Sequence, residues 1–245
     1  MKHSAALKAS VCTLRKAAGF TLIELAITVF IIALLLGSIM VPLATQIEQR
    51  QTGETQKKQE EVRDALMGFA VTNGYLPCPA ISAANGQEDR AAGGACNKRN
   101  GFIPWETLGV SRADAWGRLY RYSVTPAFAS SAALFSVSTA PDITIRTRDN
   151  AGTSVTLTTA NSVPAVVLSH GKNGYGAADD QGNAQAAVPA ANTDETANAS
   201  GTTTFFSRTA QGAGAGGTGG EFDDLVIWLP RYTLLNRMIA AGKLP

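Results

Sequence analysis

A long apolar stretch near the amino end, residues 20 to 44, limits the structures open to this chain more than any other feature of its sequence. It contains 25 residues and a single charged one, Glu24. At about 1.5 Å of rise per helical residue it extends for about 37 Å, enough to cross a hydrocarbon core of about 30 Å. The stretch therefore predicts a membrane-spanning helix, with a kink or loosened turn at Gly37 and Pro42. A carboxylate inside a membrane costs about 2.5 to 3.5 kcal/mol, so Glu24 has either a functional partner or a position at headgroup level.

The residues before this stretch are basic. Residues 1 to 18 contain no acid and four basic side chains: Lys2, Lys8, Arg15 and Lys16. A secretory signal places its apolar part before the cleavage site, whereas here the basic segment directly precedes Gly19 and the apolar part follows. Basic residues on this side predict a cytoplasmic amino end, with the remainder of the chain outside.

The segment Gly19-Phe20-Thr21-Leu22-Ile23-Glu24-Leu25 resembles the processing site of type IV pilins and of the pseudopilins of type II secretion. The resemblance implies cleavage between Gly19 and Phe20 by a prepilin peptidase, and N-methylation of Phe20. It also implies that Glu24 pairs with the free α-amino group of a neighbouring subunit. A carboxylate and an ammonium attract strongly in a low dielectric, so this pair can set the subunit register. The implied partners are other pilin or pseudopilin subunits and an inner-membrane assembly platform.

The same resemblance implies a pilin-like α+β fold in four parts. Residues 1 to 19 are a basic leader peptide, and residues 20 to 44 are the transmembrane and filament-core helix. Residues 45 to 73 extend that helix, and residues 74 to 245 form a periplasmic or extracellular β-rich domain packed on it. Apolar residues of the extension recur at spacings of three and four, which predicts one buried face: Val62, Ala65, Leu66, Phe69 and Ala70. A solvated linker is the alternative for its Gln-rich middle.

Short β-branched runs bounded by turn residues predict an antiparallel sheet in the globular part. The candidates are residues 134 to 138, 142 to 148, 154 to 159, 163 to 169 and 221 to 229. Asp149-Asn150-Ala151-Gly152 predicts a hairpin turn between the second and third candidates. The segment from Asp114 to Tyr122 resembles the Asp-x-Trp-Gly-x-x-Tyr-x-Tyr pattern that opens the sheet of pseudopilins. Residues 230 to 241 predict a short helix, and residues 170 to 221, low in bulky apolar residues, predict a long exposed loop rich in Gly and Ala.

Cysteine usage fits an exported mature chain. Of three cysteines, Cys12 lies in the leader, so the mature chain keeps Cys78 and Cys96. In an oxidising setting these two are expected to form a disulfide, with two unpaired thiols as the alternative. A zinc site has little support, because the mature chain adds only one histidine, His170. Removing the four leader charges from the net charge of +2 leaves 2 − 4 = −2, so no nucleic-acid partner is expected.

One loop resembles the calcium loop of major pseudopilins. The similarity lies in the pattern Ser-x-Gly-x-Asn-Gly at residues 169 to 174, with later aspartates. Because calcium takes six to eight oxygen ligands, the resemblance implies a Ca²⁺ site with these residues: Ser169, Asn173, Asp179, Asp180 and Asp224. Asn173 stands where that family has Asp, and a long insert precedes Asp224. Turn formation is the alternative role for these residues.

These observations together predict a minor pilin or pseudopilin, a structural subunit with no catalytic residue. It would be a single-pass inner-membrane protein with a periplasmic domain, and later part of a pilus or pseudopilus filament. Two alternatives remain. One is a membrane-anchored adhesin or sensor whose helix is only an anchor, and the other is a tethered hydrolase that uses His170.

Overall fold

The computed structural model describes residues 19 to 201, 203 to 214 and 216 to 244, without the side chains of residues 37 to 43. The chain divides into two compact units, Met1–Ile47 and Glu48–Pro245. Helix α1 (Leu22–Asn73) begins in the first unit and ends in the second. The predicted kink at Gly37 and Pro42 lies outside the described side chains.

The second unit has a core built on the last turns of α1. Val62, Leu66 and Ala70 are buried there, as the sequence predicts. Residues four apart lie on one helix face, so these three form a single stripe. The stripe belongs to one apolar cluster with Leu234 and Met238 of the carboxy-terminal helix α5 (Arg231–Ala240).

A four-stranded antiparallel sheet lies against this helical layer. Its order is β1 (Asn100–Phe102), β2 (Arg121–Val124), β5 (Ala165–Ser169) and β7 (Leu225–Leu229). Successive side chains of a strand point to opposite faces, so Tyr122 and Val167 pack in the helix-side cluster. Val166 faces the other way and packs in a second apolar cluster with Ile145 and Phe205.

That second cluster belongs to a three-stranded sheet in the order β4 (Ser154–Thr156), β3 (Thr144–Arg148) and β6 (Thr204–Phe206). The predicted hairpin joins β3 to β4, with the Gly152 N–H donating to the carbonyl of Asp149 at 2.9 Å. Strand β6 runs parallel to β3, so the sheets are not wholly antiparallel.

The strand predicted at residues 134 to 138 does not form. Phe135 is buried against Phe128, with ring centroids 4.7 Å apart. A turn follows at once, because the Thr139 N–H donates to the carbonyl of Ser136 at 3.1 Å. One buried aromatic residue anchors this segment, so hydrogen bonds to a neighbouring strand are not needed to hold it in place.

The segment from residue 170 to 221 differs from the predicted exposed loop. It contains helix α4 (Thr193–Ser200) and strand β6. Asp194 of α4 is fully buried and forms ion pairs with Arg148 at 2.5 Å and Arg208 at 2.8 Å. Ion pairs and hydrogen bonds therefore order a segment that has too few apolar residues to form a core of its own.

A disulfide and two short helices complete the second unit. Cys78 and Cys96 are bonded, as the sequence predicts, with 5.3 Å between their Cα atoms. Arg90, inside the loop that they close, donates to the carbonyls of Gly94 at 2.7 Å and Ala129 at 2.5 Å. The short helices are α2 (Trp105–Leu108) and α3 (Pro126–Ala129).

Candidate functional site

The amino end of α1 is closed by a reciprocal capping arrangement. Thr21 precedes the first helical residue, and its hydroxyl oxygen accepts the Glu24 N–H at 3.3 Å. In return, Glu24 Oε2 accepts the Thr21 N–H at 3.1 Å and the Thr21 hydroxyl at 3.0 Å. A Thr followed three residues later by Glu is the capping-box pattern, which satisfies two otherwise unpaired helix N–H groups. Glu24 therefore has a local role in the single chain besides the one predicted in assembly.

The helix that follows presents apolar side chains on all sides. From Phe20 to Leu36, its large apolar residues are between 49% and 89% exposed. Monomeric soluble proteins rarely expose so continuous an apolar surface, which marks a site of contact with other proteins or with lipid. Among the described residues, no helix has both the length and the apolar character needed to cross a membrane.

A second candidate site is a group of carboxylates in the second unit. Oxygens of Glu195, Asp223 and Asp224 all lie within 4.8 Å of one another. Glu195 lies in the first turn of α4, and the two aspartates directly precede β7. The fold thus brings the 170 to 221 segment and the last strand together at one point.

Amide groups orient these carboxylates. Asn173 donates its backbone N–H to Asp223 Oδ2 at 2.7 Å and its side-chain amide to Glu195 Oε1 at 2.8 Å. Glu195 also accepts from Asn192 at 2.9 Å, and Asp224 accepts from Asn198 at 2.8 Å. Asparagine donors thereby fix one oxygen or more of each carboxylate.

Other atoms of the group have no such partner. Asp223 Oδ1 and Asp224 Oδ1 are buried, and neither accepts a hydrogen bond from the described residues. Asp224 Oδ1 lies 3.4 Å from the Nδ1 atom of buried His170. Buried polar oxygens without donors are costly, and two of them in this cluster of three carboxylates point to a missing positive charge.

The electrostatics agree with this geometry. Burial raises the pKa of Asp223 to about 7; the Asn173 N–H opposes the rise, and the Asp224, Glu195 and Glu221 carboxylates add to it. Burial also raises the pKa of Glu195. Oxygen ligands of this kind suit calcium, and a bound cation would offset both burial and mutual repulsion.

The backbone approaches the carboxylates closely at Gly171. A Cβ atom at this position would lie 2.2 Å from the Asp223 carbonyl oxygen and 2.6 Å from Asp223 Oδ1. Its φ of +54° is also in the left-handed region. Only glycine fits here without displacing Asp223.

The structure gathers only part of the predicted calcium ligands. Asn173 and Asp224 lie in the carboxylate group described above, whereas the Ser169 hydroxyl donates to Asp114 at 2.6 Å. Asp179 accepts backbone N–H groups of its own turn, and Asp180 forms an ion pair with Arg112 at 3.5 Å.

Two further carboxylates, Glu195 and Asp223, join the group without having been predicted as ligands. The position of Asp223 next to Asp224 in the sequence could have identified it as a candidate ligand. No sequence pattern identifies Glu195, because its place depends on the fold of the 170 to 221 segment.

The same contacts bear on the hydrolase alternative. His170 lies against Asp224, while the hydroxyl of the preceding Ser169 is donated to Asp114 and not to the imidazole. The described residues thus show no hydroxyl group activated by His170.

Comparison with known proteins finds a similarity at the amino end of the chain. No curated protein and no solved structure matches the chain at a significant level. A family model described as the prokaryotic N-terminal methylation motif matches residues 14–40. These residues include the predicted cleavage site, Glu24 and the start of the exposed apolar helix. The chain therefore carries the prepilin-type signal that defines type IV pilins and pseudopilins.

Proposed function

We propose that this protein is a minor structural subunit of a type IV pilus or type II secretion filament. The observation that carries the proposal is the methylation motif at residues 14–40 directly joined to an exposed apolar helix. Before assembly, residues 20 to 44 would lie in the inner membrane with the second unit in the periplasm. After assembly, the same apolar side chains would pack against those of neighbouring subunits.

Processing creates the charge that assembly uses. Cleavage after Gly19 by the prepilin peptidase frees an α-amino group at Phe20, which is then methylated. The Glu24 carboxylate of a neighbouring subunit, or of the incoming one, would pair with this amine in an apolar setting. An unpaired charge there is strongly unfavourable, so the pair would select one register of packing.

The capping contacts of Glu24 make a discriminating experiment necessary. Glu24→Gln removes the charge but keeps an oxygen that can accept the Thr21 N–H, since glutamine also serves in capping boxes. Thr21→Ala does the opposite: it removes the hydroxyl cap, at a cost of about 1 kcal/mol, and leaves the charge of Glu24 in place. The two variants thus separate the proposed pairing from helix capping.

The assay measures the fraction of each variant in sheared filaments, in cells that contain the peptidase and the assembly proteins. We expect Glu24→Gln to be cleaved but depleted at least about tenfold from filaments, which corresponds to about 1.4 kcal/mol of lost pairing energy. Thr21→Ala should enter at close to the wild-type level. Normal entry of Glu24→Gln would remove the pairing role, and equal loss of both variants would assign the effect to capping.

We further propose that the second unit binds Ca²⁺ through Glu195, Asp223 and Asp224, two of which Asn173 orients by its hydrogen bonds. The support is the set of buried, unpartnered oxygens in a group with an excess of negative charge. The ion would connect α4 to the start of β7. We assign no contact with the ion to Ser169, Asp179 or Asp180, whose side chains are used elsewhere.

Thermal unfolding of the detergent-extracted full chain tests this site. At 100 times its Kd, Ca²⁺ stabilises by about 2.7 kcal/mol, which raises Tm by about 5 to 10 °C relative to EDTA. Glu195→Gln should abolish most of this rise, whereas Asp180→Asn, on an exposed aspartate, should keep it. An identical Tm in EDTA and in Ca²⁺ would refute the site.

A further inference from the structure

The part of helix α1 that begins the second unit has no apolar side chains to bury. Residues 48 to 59 contain no aliphatic or aromatic side chain, and they include Gly53 in the helix interior. The apolar core on α1 begins only at Val62. Helices in proteins are stabilised mainly by the packing of an apolar face, and an interior glycine costs about 1 kcal/mol relative to alanine. Polar contacts must therefore hold residues 48 to 59 to the rest of the unit.

Two buried polar side chains of this segment make such contacts. Thr55 is fully buried, and its hydroxyl oxygen accepts the Ala115 N–H at 3.1 Å. Gln59 is 2% exposed, and its side-chain amide donates to the carbonyl of Leu225 at 2.7 Å. Polar groups buried in this way are costly to leave unpaired, so each contact contributes to holding the segment.

A third contact lies further towards the amino end of α1. Glu48 Oε2 lies 2.8 Å from the Nζ atom of Lys172, in an exposed ion pair. Glu48, Thr55 and Gln59 are separated by seven and by four residues, so they lie on one face of the helix. This polar face continues the attachment of α1 beyond the end of its apolar stripe.

Two of the three contacts adjoin the carboxylate group. Leu225, which accepts from α1, directly follows Asp224 in the sequence. Lys172 directly precedes Asn173, whose backbone N–H and side-chain amide donate to the other two carboxylates at 2.7 and 2.8 Å. The positions of both contacts therefore depend on how closely the three carboxylates stay together.

We propose that a cation bound by the carboxylate group fixes residues 48 to 59 of α1 to the second unit, a role that rests on the calcium site proposed above. With the cation bound, the carboxylates stay together and keep Lys172 and the Leu225 carbonyl opposite their partners on α1. Without it, repulsion among three carboxylates moves them apart, and both contacts weaken. The calcium concentration thus controls how much of α1 the second unit holds.

Hydrogen exchange of backbone amides tests this coupling, on the detergent-extracted full chain in Ca²⁺ and in EDTA. We expect exchange in residues 48 to 59 to be at least about fivefold slower in Ca²⁺, which corresponds to about 1 kcal/mol. Glu195→Gln, which removes a carboxylate of the site, should abolish the difference. The loop closed by Cys78 and Cys96 is the internal control, because the disulfide and Arg90 hold it. Its exchange should be the same in both solutions.

A matched pair of double variants assigns the coupling to the named contacts. Gln59→Met with Lys172→Met removes both contacts with α1 that adjoin the carboxylates. Gln56→Met with Lys58→Met makes the same chemical changes at an exposed glutamine and at a lysine whose ion pair with Glu54 lies within the helix. The first should keep the rise of Tm in Ca²⁺ but reduce the slowing of exchange to less than about twofold. The control should keep both effects.

The outcomes distinguish the coupling from the calcium site itself. A rise of Tm in Ca²⁺ with unchanged exchange in residues 48 to 59 would refute the coupling and leave the site in place. The absence of any rise in Tm would refute the site and the coupling together. Equal slowing in residues 48 to 59 and in the disulfide loop would show general stabilisation, and would also refute the coupling. These three comparisons use the wild type, so they decide the matter even if a variant folds poorly.

Discussion

Removing the charge of Asp194 should destabilise the second unit severely. This carboxylate is fully buried on α4 and accepts the Arg148 Nη2–H at 2.5 Å and Nε–H at 2.8 Å. It also accepts the Arg208 Nε–H at 2.8 Å. Asp194→Asn leaves two largely buried guanidinium groups facing an amide that has only one acceptor oxygen.

The expected loss follows from the cost of uncompensated buried charge. Removing one partner of a buried ion pair costs about 3 to 5 kcal/mol, and here one partner serves two cations. We expect the lower end, about 3 kcal/mol, because the asparagine oxygen can still accept one bond. With a urea m-value of about 2 kcal/mol/M, the unfolding midpoint should fall by about 1.5 M.

Urea unfolding followed by circular dichroism, on the full chain in detergent, measures this shift. Asp180→Asn is the matched control, because its pair with Arg112 is exposed and should contribute less than about 1 kcal/mol. Limited proteolysis should also find new cleavage between residues 207 and 221 in Asp194→Asn alone. A midpoint within about 0.5 M of the control would refute the view that ion pairs order the 170 to 221 segment.

Three further predictions concern the second unit. Replacing Cys78 and Cys96 by serine should lower the free energy of unfolding by about 3 kcal/mol, as measured in urea, because the disulfide closes a loop with a sequence separation of 18; an unchanged midpoint would contradict this. Burial raises the pKa of Asp223 from 3.8 to about 7. In EDTA, protonated Asp223 therefore stabilises the fold fully at pH values below 3.8, and this contribution to stability is lost as the pH rises through about 7. The Tm of Asp223→Asn should therefore rise relative to that of the wild type between pH 5 and pH 8. A difference in Tm that does not change with pH would refute the raised pKa. Gly171→Ala should weaken calcium binding more than tenfold in calorimetry, because its methyl group would displace Asp223, whereas Gly212→Ala, which meets no atom within 4 Å, should not.

Local patterns were sufficient to predict several parts of the molecule. The apolar stripe of Val62 and Leu66, the hairpin after β3 and the helix near residue 231 each depend on neighbouring residues in sequence. The capping box of Thr21 and Glu24 is an equally local pattern, a Thr followed three residues later by a Glu.

The remaining features depend on contacts between distant residues. Helix α4 forms in a segment poor in apolar residues because Arg148, 46 residues before Asp194, supplies a buried charge partner. The hydrophobic periodicity of the sequence does not predict such an ion pair. The same reason explains why Glu195 was not predicted to lie beside Asp223 and Asp224, and why Ser169, committed to Asp114, was expected among the ligands.

Mass spectrometry of the membrane-extracted protein shows whether the prepilin peptidase processes this chain. We expect the mature chain, isolated from cells that contain the prepilin peptidase, to begin at Phe20 with one methyl group on its α-amino nitrogen. A chain that still begins at Met1 in those cells would contradict it, and would favour an anchored adhesin or sensor over a filament subunit.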